Sequence, residues 1–438
     1  MKNFIFLFLF LLMPIISFAN GIDTTITKSP NGSWTVKYKA DEPINKISFI
    51  RNPDKSRTMR WHPTSPELEV FYQNKQEHIA RKDRTTFKEA ELILTPTYKD
   101  LSKDYAPFSP FSDGGMLFHS GRFFTCINSC INNLNHWKMT LKIPDDEHII
   151  VNGKIFHSST SWLDKNDGIS VYVGKQNPIE TDSYIALIDK GLPEKIQKSL
   201  SSDIPKMMNY FENKLGKLPF KEKPTLFASY AKINGHSSQG GTLPNRIFMH
   251  WNKNNLETSV KNVKFINDTL WFFGHEAAHL YQSGKVTLLS DDPSQSWLHE
   301  GHADILASDV LLSLYPSSTD YVNSRFKNIK NNCAKGLKKM ALIDAAEVGQ
   351  FHNYYTCGFV IHSAIENMAK SQNKGGHSAY STWNQFRAKV EDGKAVGQQT
   401  FFSVVDDIAK TNSSEKIATF INIRHDEPKK AIDALLGL

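Results

Sequence analysis

The sequence predicts an α+β protein in two parts, a β-rich N-terminal domain over residues 20–190 and a mainly helical domain over 191–438. Three observations carry this. Apolar residues alternate in short runs up to about residue 190. After Gly191 the apolar period lengthens to that of a helix. Beyond Asn267 nearly every segment has helical spacing, with breaks at Pro316 and at Gly375-Gly376-His377. A chain of 438 residues is long enough for two or three domains, each with its own core.

The elements follow in order. Lys2 gives a positive start, Phe4 to Ile16 is an apolar run, and Ser17-Phe18-Ala19 ends it on small residues. That is the layout of a cleavable signal peptide over residues 1–19, too short for a comfortable membrane span. It predicts export, to a periplasm or beyond the cell, and no stable membrane insertion once it is cut. The mature chain would begin near Asn20. Strand-like runs follow at Trp34 to Tyr38, Leu92 to Leu94 and Trp137 to Leu141. Turn residues separate them, as at Pro30-Asn31-Gly32, Ser112-Asp113-Gly114-Gly115 and Asn152-Gly153. Lys195 to Leu215 has an amphipathic helical pattern that stops at Gly216. Thr225 to Ala228 and Arg246 to Met249 read as strands.

Composition excludes several classes. With 40% hydrophobic and 22% charged residues, the chain is neither disordered nor collagen-like. The formal charge of +7 comes from 52 Lys and Arg against 45 Asp and Glu. A balance so mildly basic does not argue for a nucleic-acid partner, and Lys338-Lys339 and Lys429-Lys430 read as solvated faces. Four cysteines in an exported chain suggest disulfides. Of the three possible pairings, position along the chain favours Cys126 with Cys130 and Cys333 with Cys357.

One helix carries specific chemistry. Phe265 to Gln282 has helical spacing, with Asn267 or Asp268 placed to cap its start and Ser283-Gly284 to end it. Inside it lies His275-Glu276-Ala277-Ala278-His279. Two histidines four apart sit one turn apart on one face, so their rings can converge on one zinc ion. Glu276 is offset around the helix, free to take a proton from the attacking water. A catalytic zinc wants a third protein ligand, and the next helix, Trp297 to about Leu314, offers Glu300 near its beginning. Ser294 or Ser296 would cap that helix. Asp304 lies one turn beyond Glu300, where it can accept an N–H from a ligating histidine and so orient the ring. His302 points elsewhere on the helix and reads as packing or surface, and His299 stays unassigned.

H-E-x-x-H followed by a Glu in Trp297-Leu298-His299-Glu300-Gly301-His302-Ala303 resembles the gluzincin metallopeptidases. The chain is similar to the aminopeptidase N and leukotriene hydrolase family, and more distantly to the glycyl aminopeptidases. The 20 residues between His279 and Glu300 are slightly more than that family's usual spacing, and Asp304 looks more like the thermolysin pattern. Softer matches are Tyr210 to Phe220 and His136 to Pro144. The resemblance implies a thermolysin-like catalytic domain, one zinc per chain, and a peptide or protein substrate. It also implies that Tyr355, in Tyr355-Thr356-Cys357-Gly358, donates to the developing oxyanion, with Tyr354 as the competing candidate. Cys357 stands where the family usually has Lys. The family carries G-A-M-E-N on an edge strand, its Glu binding the substrate's amino terminus. The matching region here is Gly240-Gly241-Thr242-Leu243-Pro244-Asn245, and no acidic residue occurs between Glu222 and Glu257. Gly240 and Gly241 would let the strand approach a peptide closely.

The resulting expectation is an exported zinc metallopeptidase with His275, His279 and Glu300 on the metal, Glu276 as general base and Tyr355 as oxyanion donor. Its fold is aminopeptidase-like, and its cutting position, terminal or internal, stays open. The alternatives on the same site are an endopeptidase, a non-peptidase hydrolase, and a binding protein with a vestigial centre.

Overall fold

A computed structural model describes all residues except 1–20, 102–103, 131–135, 234, 244, 285, 287–291, 373–376 and 410–411. The expected signal segment, 1–19, lies outside the described residues. The chain divides into two compact units, one of residues 1–110 and 114–175, the other of 111–113 and 176–438.

Alternation builds the first unit. In Ile22–Lys28 every second side chain is buried, and Trp34–Ile44 begins with the same period. A six-stranded sheet runs from edge to edge through Ser159–Lys165, His136–Lys142, Ile22–Lys28, Trp34–Ile44, Phe87–Leu94 and Trp61–Pro63. Its neighbours are antiparallel except Ile22–Lys28 with His136–Lys142. Sheets of four and five strands complete the unit around a core that includes Trp34, Tyr38, Phe49, Trp61 and Phe123. That core also encloses an ion pair between Arg57 and Glu77. Glu77 accepts the Arg57 backbone N–H at 2.6 Å, and the guanidinium lies over Phe49 and Trp61. Removing either partner would leave the other as an uncompensated buried charge.

The second unit opens with a five-stranded sheet, in the order Ile179–Glu180, Ile185–Ile188, Thr225–Tyr230, Arg246–Lys253, His236–Leu243. The central three are parallel and both edges antiparallel. The amphipathic segment after Gly191 is not one uniform helix. Glu194–Lys198 and Ile204–Leu215 are α-helical, and Ser199–Asp203 between them is a wider π turn. Pro205 explains the widening, because it has no N–H to donate and its ring crowds the carbonyl four residues back.

Eight longer helices follow among the described residues: Val263–Gln282, Trp297–Leu314, Thr319–Leu337, His352–Ser371, Ala379–Glu391, Gln398–Ala409, Ser413–Asn422 and Pro428–Leu436. Val263–Gln282 starts two residues earlier than its apolar spacing suggests. Asn262 caps it by accepting the Lys264 N–H at 2.8 Å, while Asn267 is buried within it. Neither Ser294 nor Ser296 caps the next helix through its side chain. Asp292 instead caps the short turn that leads into it. Trp297–Leu314 is buried on most of its circumference, so it is the unit's central helix.

Two glycines fix how the central helix meets His352–Ser371. A Cβ on Gly301 would lie 2.2 Å from the Gly358 carbonyl carbon, and one on Gly358 would lie 2.6 Å from the Trp297 carbonyl oxygen. The two backbones therefore cross without side chains between them. Cys333 and Cys357 form a disulfide that ties His352–Ser371 to Thr319–Leu337, and Cys126 pairs with Cys130. No helix among the described residues is long and apolar enough to cross a membrane.

Gly358→Ala should lower stability to urea by about 1–3 kcal/mol, the usual cost of overpacking. Gly241→Ala, whose Cβ would meet Phe248 at an ordinary 3.5 Å, should stay within about 0.5 kcal/mol of wild type. Equal losses for the two would contradict the backbone crossing.

Candidate metal centre

His275 and His279 project from one face of Val263–Gln282, their ring centroids 4.5 Å apart. Glu300 reaches them from the first turn of Trp297–Leu314. Its Oε2 lies 3.1 Å from His275 Nε2 and 3.2 Å from His279 Nε2, and the two Nε2 atoms are 2.9 Å apart. These three side chains form a group that could hold a metal ion.

The outer partners decide which atoms carry protons. Asp304 Oδ1 accepts from His275 Nδ1 at 2.9 Å and from Trp271 Nε1 at 2.8 Å. Gln282 does the same job for His279. Its Nε2 donates to the His299 carbonyl at 3.0 Å, so its Oε1 must face His279 Nδ1, at 2.7 Å. Both Nδ1 atoms are then donors, and both Nε2 atoms turn lone pairs inward. With both rings neutral, two imidazole lone pairs and a carboxylate oxygen face one another. A cation is what such a set accommodates, and two nitrogens with one oxygen suit zinc.

Without a metal the same charges act on protons. Burial opposes a charge on His275, but Asp304, Glu300 and Glu276 outweigh it and hold its pKa well above the ordinary histidine value. Burial also opposes ionised Glu300, yet His279, His275 and His299 hold it well below the ordinary carboxyl value.

Glu276 stands beside the cluster. Its Oε2 accepts from Thr242 Oγ1 at 2.7 Å. Tyr355, near the start of His352–Ser371, stacks on His275 with centroids 5.5 Å apart. Burial first, then the Glu300 and Glu276 carboxylates, push its phenol well above the ordinary value, so it keeps its proton. Tyr354 points into the core, its hydroxyl taking the Ala346 N–H at 3.0 Å and donating to Ile343 O at 3.2 Å. Of the two candidates, Tyr355 alone lies at the cluster.

The other expected residues divide. Gly240 and Gly241 lie on the edge strand His236–Leu243. A Cβ on Gly240 would strike Phe272 Cζ at 2.4 Å and Met249 Sδ at 2.7 Å, so its glycine has a packing reason. His302 is a buried packing residue. It stacks on Trp383 at 4.4 Å, and Gln282 donates to its Nδ1 at 2.7 Å. Burial holds it neutral, with its Nε2 donating to Ala379 O. His299 Nε2 lies 3.4 Å from Glu300 Oε1, at the rim of the cluster. Sequence reasoning missed Gln282 and Thr242. The signal for Gln282 was its place three residues after His279, on the same helix face.

The fold is that of M1 zinc metallopeptidases of the aminopeptidase N kind. An aminopeptidase N family protein from Idiomarina loihiensis superposes with a TM-score of 0.65 at 13% identity, over 92% of this chain and 76% of that one. An M1 zinc metallopeptidase from Deinococcus radiodurans, a mutant bound to a Tyr-Ser-Ala substrate, has a TM-score of 0.51 at 13% identity, over 92% and 94% of the two chains. No family model and no curated protein matches the sequence.

Asp304→Asn and Gln282→Ala should each weaken zinc binding about 10–100-fold, as loss of a ligand's outer partner usually does. Competition against a chromogenic chelator measures this, and unchanged affinity in both would remove the proton assignment given above.

Proposed function

We propose that the chain is a zinc-dependent peptidase, exported by its first 19 residues, that hydrolyses peptide bonds with water. The observation that carries this reading is the convergence of His275 Nε2, His279 Nε2 and Glu300 Oε2 beside Glu276 and Tyr355. One zinc ion per chain, held by His275, His279 and Glu300, would supply a Lewis acid that polarises the scissile carbonyl and makes water more acidic.

The chain's own residues do the rest. Glu276 takes a proton from the attacking water as the new C–O bond forms. It then gives that proton to the amine nitrogen as the C–N bond breaks. Tyr355 donates its hydroxyl to the carbonyl oxygen as negative charge builds there. Its raised pKa suits this, because a donor must stay protonated at neutral pH. Among the described residues the strand His236–Leu243 is the edge of its sheet, so an extended peptide can add to it, with Gly240 and Gly241 opposite the substrate backbone.

Cutting position is the second question. Aminopeptidase action needs an acidic group for the free amine, and the segment between Glu222 and Glu257 has none. That observation favours internal cutting as a second reading on the same machinery.

Three measurements follow. Glu276→Gln should keep zinc and lower kcat about 10²–10⁴-fold, and wild-type turnover would refute its role. Glu300→Ala should lose zinc on dialysis, whereas full metal content would take it off the ligand list. The zinc-loaded protein should also be mixed with diverse peptides, some N-terminally acetylated, and the cuts mapped by mass spectrometry. Single residues lost only from free termini mean an aminopeptidase. Internal cuts that ignore acetylation mean an endopeptidase. No cuts despite bound zinc would turn the reading toward a non-peptidase hydrolase or a vestigial site.

A further inference from the structure

We infer that Thr242 is a positioning residue for Glu276, so that the sheet edge, and not the helix alone, sets where this carboxylate points. The inference rests on Glu276 as the proton carrier proposed above. Helix geometry fixes the Glu276 backbone but leaves three side-chain torsions to find an orientation. Thr242 closes that freedom from outside the helix. Its Oγ1 lies 2.7 Å from Glu276 Oε2 and 2.9 Å from Glu276 O, so its single hydrogen can turn to either end of the residue.

The register of strand against helix makes this possible. Gly240 and Thr242 share one face of the edge strand, about 6.6 Å apart along it. Phe272 and Glu276 share one face of the helix, about 6 Å apart along its axis. The two spacings nearly match. Gly240 lies against Phe272 while Thr242 lies against Glu276. The missing Cβ of Gly240 lets the strand come near enough for a side chain as short as threonine's to reach the carboxylate. Threonine also suits a strand and has a stiff χ1, so little freedom is lost in holding the contact.

A hydroxyl fits a residue that must carry a proton for part of each cycle. It has one donor and two lone pairs. Toward ionised Glu276 it donates to Oε2. Once Glu276 holds the proton, Thr242 accepts from it and turns its own hydrogen to the Glu276 backbone oxygen. An ammonium partner would serve only the ionised form.

The test uses the full zinc-loaded protein. Thr242→Val removes the hydroxyl and keeps the shape. It should lower kcat about 10–100-fold, the value of a hydrogen bond to a charged group, with KM, zinc content and thermal midpoint unchanged. Thr242→Ser should restore kcat to within about threefold. Thr242→Ala, free of packing strain, should follow Val. Glu276→Gln runs beside them, and in that background Thr242→Val should do nothing further. The inference is overturned if Val retains wild-type kcat, if Ser fails as Val does, or if kcat falls only together with zinc content or stability. If Glu276→Gln itself turns over at the wild-type rate, Glu276 is not the proton carrier and this inference fails with that role. If Glu276→Gln is inactive while Val is normal, only the role of Thr242 fails.

Discussion

The centre of the second unit depends on two imidazole nitrogens and a carboxylate oxygen held face to face at 2.9–3.2 Å. Left alone, such groups repel or take up protons. The surroundings favour a proton on His275 when no cation is bound, and they fix the tautomer and direction of each ring. Asp304 occupies the outer nitrogen of one ring and Gln282 that of the other. The two outer partners differ in charge. A carboxylate behind His275 makes that ring the more electron-rich ligand, while an amide behind His279 fixes its tautomer without adding charge. Trp271 and His302 anchor the outer partners in turn, so the arrangement extends into the apolar core, where side chains cannot turn away.

Helix geometry supplies the positions. One helix gives two candidate ligands because four residues make about one turn. The third candidate and the phenol come from the central helix and its neighbour, which touch at Gly301 and Gly358. Glu300 directly precedes one of these glycines and Tyr355 lies one turn before the other. The disulfide at Cys357 fastens the same turn to Thr319–Leu337. The phenol is thus held by a covalent tie and a backbone crossing within three residues of it.

Much of this was legible beforehand, for local reasons. The His275–His279 spacing, the Glu300 helix, the place of Asp304 one turn on, and the alternation of the early strands are all short-range periodicities. Both cysteine pairings also followed from position along the chain. What the sequence withheld depends on partners far away in it. Gln282 carries no metal-site signature, and its amide acquires meaning only from the carbonyl of His299. Thr242 is an ordinary strand residue until the edge strand is laid against the helix. Arg57 and Glu77 are two of many charges until the core closes over them. Tyr354 and Tyr355 are equal as letters, and only the helix rotation sends one into the core and the other to the cluster. Pro205 was visible, but a periodic apolar pattern survives a π turn and so conceals it.

The Gly301–Gly358 crossing has a consequence for how this chain can change over time. A side chain that outgrows its pocket can be accommodated if a neighbour shrinks, which is how cores drift while keeping their volume. Here the atoms in the way are main-chain atoms, and no substitution makes a carbonyl smaller. No shrinking neighbour can relieve either position, and a change there could be offset only by stability gained elsewhere. The crossing therefore narrows the routes open at these two residues in a way that an ordinary packed pair of side chains does not.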